Sequence, residues 1–317
     1  MTTMNILVIL LVGVWRTLAQ DIISNTIPTT SATAEVAFGW TSSQYEHKWA
    51  VGVHKRNSGE RFDHICGGTL VTAQLVLSAA HCFWNDGRAV ELNDYRMTVG
   101  NLLREYDHSP NDTKEMIRDL FFHERYRGSE LNFAHDIVIV RLMKRVKFSP
   151  TVEPVAIDWR SSFKDEDLMG QSGTVVGWGY TEFDQPSYTR IAVNLPYIDF
   201  DTCWKTVPRA FRSYITPDKF CAGLRNGTTV CPGDSGGGLV FADIVEKKWY
   251  IRGIVSVGVQ PDAKSKCRKA QFSAFTSISS YRTWLREKFV LIGESLSNPL
   301  TQTEKTIDPD VIVFPSD

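Results

Sequence analysis

Ser235 lies inside Cys231-Pro232-Gly233-Asp234-Ser235-Gly236-Gly237, with glycines on both sides. A serine that attacks a carbonyl passes through a tetrahedral intermediate. Backbone N–H groups must then come close to the developing oxyanion, an approach that side chains would obstruct. Gly233 and Ser235 can each aim an N–H there, so the chemistry this stretch suits is acyl transfer. A serine is a weak nucleophile until a base takes its proton. All seven histidines (His47, His54, His64, His81, His108, His123 and His135) precede Ser235. That order excludes the nucleophile elbow of α/β-hydrolases, which shares Gly-x-Ser-x-Gly but places its acid and then its histidine after the serine.

Two further stretches supply a base and an acid. Leu77-Ser78-Ala79-Ala80-His81-Cys82 ends an apolar run from Leu75 to Ala80 that reads as a buried strand turning into a short helical corner. His135-Asp136-Ile137-Val138-Ile139-Val140-Arg141-Leu142 sets Asp136 at the mouth of a β-branched strand, where its carboxylate can point back at an imidazole. Taken singly, a His beside a Cys, an Asp opening a strand and a Ser among glycines are commonplace. Their order and contexts together point to nucleophilic catalysis.

With Ala79-Ala80-His81-Cys82, Asp136-Ile137, Gly177-Trp178-Gly179, Gly233-Asp234-Ser235-Gly236-Gly237 and Gly253-Ile254-Val255-Ser256 in this order, the chain resembles the trypsin/chymotrypsin-like serine proteases from about Trp49 to about Phe289. The resemblance implies an all-β fold of two antiparallel six-stranded barrels packed together, with a C-terminal helix. It implies Ser235 as nucleophile, His81 as general base and then acid, and Asp136 as the group that fixes the imidazole tautomer. The oxyanion hole would be the N–H groups of Gly233 and Ser235. It also selects, from the fifteen pairings that six cysteines allow, the disulfides Cys66–Cys82, Cys203–Cys221 and Cys231–Cys267. Another bridge common in the family is lost at both ends, where Gly173 and Phe241 stand.

For specificity, the resemblance places Thr229, six before the nucleophile, on the floor of the primary pocket, with Ser256, Gly258 and Ser273 around the substrate. A neutral Thr cannot pair with a buried cation, and an unpaired buried charge costs about 3–5 kcal/mol. Cleavage after neutral or apolar residues is therefore expected over cleavage after Arg or Lys. Val257 replaces a frequent tryptophan, and Gly238 stands where proline is usual. Family members are typically activated when a new N-terminal ammonium inserts beside the Asp preceding the nucleophile, here Asp234. The usual spacing before Trp49 lands near Val36-Ala37-Phe38-Gly39, preceded by Glu35, while Ile22-Ile23-Ser24-Asn25 follows Asp21; neither is a tryptic junction. Two function classes stay open: an active secreted endopeptidase made as a zymogen, and a catalytically silent homologue acting as a regulatory or binding partner.

The elements that must position these residues read as two sets of strands. The first covers roughly Trp49–Arg56, Cys66–Thr72, Leu75–Ala80, Arg96–Val99, Glu115–Phe122 and Ile137–Leu142. The second covers Thr174–Trp178, Ile191–Ile198, Lys219–Ala222, Gly238–Ala242, Trp249–Val257 and Gln271–Ser277, and an amphipathic helix from Ser280 to Phe289 closes the domain. The unbroken apolar run Ile6–Val14, with Thr17 and Ala19 as small residues before a cleavage site, reads as a signal peptide over 1–19. A flexible lead-in or propeptide over 20–35, a protease domain over 36–292 and a disordered tail over 293–317 complete the expected organisation.

With 43% hydrophobic and 22% charged residues in 317, and a formal net charge of −1, bulk charge offers no reason to expect nucleic acid or an anionic membrane as partner. A secreted, extracellular monomer is expected, meeting a protein or peptide substrate and a protein protease inhibitor, with N-glycans at Asn111 and Asn226. No cofactor or metal is invoked. The acidic loop from Asn101 to Glu115 matches no EF-hand and opens on Asn where calcium-binding relatives often carry Glu.

Overall fold

β-Branched and aromatic runs broken by Gly, Pro and Asn turns build fifteen strands among the described residues of a computed structural model. It describes residues 39–85, 87–110, 113–160, 164–181, 183–224, 229–258 and 272–296. The chain divides at Glu35 and Val36, and every described element lies in the C-terminal unit. In chain order the strands are β1 (Trp40–Thr41), β2 (Ala50–Arg56), β3 (Phe62–Leu70), β4 (Leu75–Ser78), β5 (Trp84–Asn85), β6 (Arg88–Ala89), β7 (Tyr95–Val99), β8 (Lys114–Phe122) and β9 (Val138–Leu142). There follow β10 (Ser172–Gly177), β11 (Ile191–Ile198), β12 (Lys219–Ala222), β13 (Gly238–Asp243), β14 (Lys248–Gly258) and β15 (Ser273–Ser277). Helix α1 spans Phe200–Thr206, and α2 spans Arg282–Ile292.

Strands β2-β3-β4-β9-β8-β7 close the first barrel, and all its pairings are antiparallel. The second has the order β11-β10-β13-β14-β15-β12 and closes through β11–β12, with β1 added on the outside of β11. Closure leaves no hydrogen-bonding edge within either barrel. Leu70, Leu75, Leu77, Met97 and Ile139 fill the first barrel and are fully buried. Burying each such side chain contributes about 1.5–3 kcal/mol. Val240, Ile251 and Ile254 of the second barrel join this same core. Helix α2 also packs onto it through Trp284, Leu285 and Phe289, and stops at Gly293 in a left-handed cap with φ 81°.

The two barrels and the closing helix are the architecture the resemblance implies. Cys66–Cys82 and Cys203–Cys221 are paired as expected. Cys231 is also disulfide-bonded, while Cys267, its expected partner, lies outside the described residues, as do Asn111 and Asn226. The lost bridge has a packing substitute. A Cβ on Gly173 would sit 2.6 Å from the Phe241 ring and 2.8 Å from Leu239, so the ring fills the space a disulfide would need.

Asn101 closes the acidic loop from within, its amide donating to the Leu103 carbonyl and to Ser109 Oγ (2.6 Å). Arg61 lies 3.7 Å from Glu105 and 3.5 Å from Asp107. Buried Arg190 anchors the start of the domain, donating to Ser42 Oγ and to the carbonyls of Ser43, Glu46, His47 and Asn101. No helix among the described residues is long and apolar enough to cross a membrane.

Candidate active site

Strand β4 ends at Ser78, and the chain turns through Ala79 into a single 3₁₀ turn, Ala80–Phe83, that carries His81. The apolar neighbours Ala79, Ala80 and Phe83 are fully buried, and Cys66–Cys82 ties the turn back to β3. Such a cross-link, closing 16 residues, contributes about 3 kcal/mol in the loop-entropy account. His81 is thereby placed by packing and covalent bonds while its ring keeps 24% of its surface open.

Asp136, fully buried just before β9, meets that ring. His81 Nδ1 donates to Asp136 Oδ2 at 2.8 Å, and the backbone N–H of His81 donates to Oδ1 at 2.9 Å. Ser256 Oγ, from β14, donates to Oδ2 at 2.6 Å, and Thr276 Oγ1, from β15, donates to the Asp136 carbonyl at 3.0 Å. A carboxylate can only accept, so the proton sits on Nδ1, and Nε2 keeps its lone pair for a base's role. Burial alone would depress the His81 imidazolium, but the Asp136 charge and hydrogen bond override it and raise its pKa above the usual 6.5. Burial would likewise raise Asp136. The His81 and Ser256 hydrogen bonds and the imidazole's charge instead hold its carboxyl below the ordinary range.

Ser235 approaches this pair from the second barrel. Its carbonyl accepts from Gly67 N at 2.7 Å and lies 3.8 Å from Cys82 Sγ, one residue from His81. Gly236 then takes φ 83°, and a Cβ there would fall 2.3 Å from Ser78 Oγ and 2.5 Å from the Gly67 carbonyl. Gly236→Ala must therefore pay for a left-handed backbone and for a clash with main chain. A loss of about 3 kcal/mol or more in unfolding free energy is expected. Urea titration checks it; a loss under about 1 kcal/mol would show that the two loops can part.

The neighbouring Asp234 folds under the serine. Its Oδ1 accepts from Gly179 N at 2.8 Å and its Oδ2 from Cys231 N at 3.0 Å. Cβ atoms on Gly177 or Gly179 would fall 2.1 Å and 2.4 Å from those oxygens, which explains the spacing Gly177-Trp178-Gly179. No ion pair to Asp234 occurs among the described residues. Loss of water pushes its carboxyl up to about 6, against the pull of the two N–H groups and of Arg104. Buried His64, held down to about 4 chiefly by burial, donates from Nε2 to the Gly233 carbonyl at 3.0 Å.

Of the predicted residues, His81 and Asp136 are hydrogen-bonded to one another, and the main chain of Ser235 lies beside them, its carbonyl 3.8 Å from Cys82 Sγ. The family model described as Trypsin matches residues 37–285. The chain belongs to the trypsin family. Within it, the chain is 32% identical over 232 residues to Limulus clotting factor C of Carcinoscorpius rotundicauda, covering 70% of this chain and 22% of that protein. It is 30% identical over 232 residues to clotting factor C of Tachypleus tridentatus, with the same coverage. It is 26% identical over 251 residues to CLIP domain-containing serine protease HP8 of Bombyx mori, covering 77% of this chain and 66% of that protein. This trypsin-family chain thus spans about a fifth of the length of the clotting factors and about two thirds of the Bombyx protease.

The predicted pocket residues of the family domain separate into two groups. Half-buried Thr229 and buried Ser273 meet, Oγ1 to Oγ, at 3.1 Å, and Gly258 is exposed beside Ser273. Ser256, expected near substrate, turns its side chain to Asp136. Sequence reasoning missed that role, and missed Thr276, His64 and Gly67 altogether. The motif Val255-Ser256 held a signal for the first; the others are contacts made only by the packing of one barrel on the other.

Proposed function

We propose that this protein is a secreted serine endopeptidase in which Ser235 attacks the scissile carbonyl. His81 Nε2 takes the serine proton and returns it to the leaving amine, while Asp136 stabilises the imidazolium that forms in between. The observation that carries the reading is the fully buried Asp136 carboxylate bound to His81 Nδ1, His81 N and Ser256 Oγ. That arrangement fixes the tautomer a general base needs. The N–H groups of Gly233 and Ser235 enter no hydrogen bond among the described residues, which suits two donors kept for an oxyanion.

Asp234 favours synthesis as a zymogen. A carboxyl raised to about 6 with backbone donors alone is a site that an inserted ammonium would stabilise in its charged form. The test is labelling of the secreted protein with a fluorophosphonate probe before and after limited proteolysis, with N-terminal sequencing. Labelling that requires Ser235 and follows exposure of a new N-terminus supports the reading. A folded protein that never labels under any processing is instead the silent homologue, acting as a binding partner.

The Thr229–Ser273 hydroxyl pair offers hydrogen bonds but no charge. Cleavage after Leu or Phe is expected to exceed cleavage after Arg by at least 10-fold in kcat/KM, since a cation would enter without a partner. A peptide library read by mass spectrometry checks this, and faster cleavage after Arg would sink it.

A further inference from the structure

Lys219 opens β12 with its side chain wholly buried, a rare place for a lysine. Its Nζ donates to the Phe133 carbonyl (2.6 Å) and to Thr216 Oγ1 (2.8 Å), and lies 3.8 Å from Asp218 Oδ1. Asp218 Oδ2 in turn accepts from His135 N (3.0 Å) and from Tyr281 Oη (2.6 Å), and the same tyrosine oxygen lies 2.8 Å from His135 Nδ1. Both ends of the pair therefore grip one turn, residues 132–135. In that turn Asn132, Phe133 and His135 have φ of 50°, 56° and 62°. Asn tolerates this conformation, but Phe and His each store about 1–2 kcal/mol in it. Something must hold them there.

What the turn carries explains why the grip matters. Asp136 is its next residue, and the Phe133 ring stands edge-on to the His81 ring, centroids 6.0 Å apart. We propose that the buried Lys219–Asp218 pair is a positioning device that clamps this left-handed turn and so sets Asp136 and Phe133 around the His81 imidazole. It holds from β12, whose Lys219 is also the register partner of Thr276, the donor to the Asp136 carbonyl. On the outer side, His123 stacks on His135 at 4.6 Å and 12°, leaving the turn fixed on two faces.

The charged and titratable groups facing Lys219 are Asp218 beside it, Asp136 and His81 across the turn, and His135 with Tyr281 behind Asp218. Burial pulls the ammonium below its usual range, and Asp218 and then Asp136 draw it back. The lysine's charge also lowers His81, opposing Asp136. Loss of that cation acts to raise the His81 pKa while loosening of Asp136 acts to lower it, so the acid limb of activity shifts from its parent's position.

The inference rests on the proteolytic reading, and its test keeps the two apart. In the activated full-length protein, Lys219→Met is expected to lower kcat about 10- to 100-fold with KM changed less than threefold, and to shift the acid limb of kcat/KM. In the full chain carrying Ser235→Ala, the low-field NMR proton between His81 Nδ1 and Asp136 is expected to shift and to exchange faster when Lys219→Met is added. This second readout needs no turnover, so it decides the clamp even where wild-type protein never labels with a fluorophosphonate. Where Lys219→Met does not fold, the pair Asp218→Asn with Lys219→Met, which leaves no unpaired buried charge, takes its place in both measurements. A folded variant that loses only thermal stability, with the rate, pH profile and low-field proton of its parent, overturns the proposal.

Discussion

Ser235→Ala is expected to lower kcat by about 10⁶-fold, the loss known for removal of the nucleophile from a serine protease of another fold. The side chain removed is one hydroxyl, and the loop around it is held by main chain: Gly67 N on the Ser235 carbonyl, Gly236 N on Val255 and Gly237 N on Asp234. Melting temperature should therefore stay within a few degrees of wild type while covalent labelling disappears. A residual rate about 10³–10⁴-fold above uncatalysed hydrolysis should survive, because substrate binding and the Gly233 and Ser235 N–H groups remain. Active-site titration with a burst substrate, followed by steady-state kinetics on a peptide amide, measures both. Activity within about tenfold of wild type would remove Ser235 from the mechanism.

Asp136→Asn should cost about 10⁴-fold in kcat, the magnitude being that of the same change in a trypsin-type triad. The donors around this carboxylate cannot all be satisfied by an amide. Oδ1 accepts from His81 N, and Oδ2 accepts from both His81 Nδ1 and Ser256 Oγ. An amide has one oxygen, so in either orientation an NH₂ faces a group that was a donor. If the NH₂ faces the ring, His81 must accept on Nδ1 and carry its proton on Nε2, where it can no longer act as base. If the oxygen faces the ring, the NH₂ meets the His81 backbone N–H in a fully buried site, and that donor is left unsatisfied at about 1–3 kcal/mol. Steady-state kinetics and the pH profile read this variant. Combined with Ser235→Ala it should do little further harm, because the two groups act as one unit. A kcat within tenfold of wild type would show that Asp136 only packs.

Much of this was legible before any coordinates because local rules govern it. The β-branched runs from Ile137 to Leu142 and from Trp249 to Val257, bounded by turn formers, had to be strands. The paired absence at Gly173 and Phe241 was readable as a missing bridge; that an aromatic ring fills the gap was not. Ser235, His81 and Asp136 announced themselves through chain order and the small residues beside them, since chemistry constrains neighbours in sequence. The neutral character of Thr229 was equally plain, being a property of one side chain.

Contacts between segments far apart in the chain were decided only by tertiary structure. Ser256 reads as a pocket residue in sequence, yet 120 positions away it orients Asp136. Gly179 looks like a turn glycine, yet it is glycine because the Asp234 carboxylate lies where its Cβ would be. Lys219 carries no motif at all. Its burial against Asp218, and the turn that the pair grips, exist because β12 pairs with β15 while the first barrel delivers residues 132–135 to the same place. Side-chain type and short-range spacing thus determined which groups could react. Which groups hold them depends on how the two closed barrels meet, and a buried charge finds its partners only once water has been excluded from that junction.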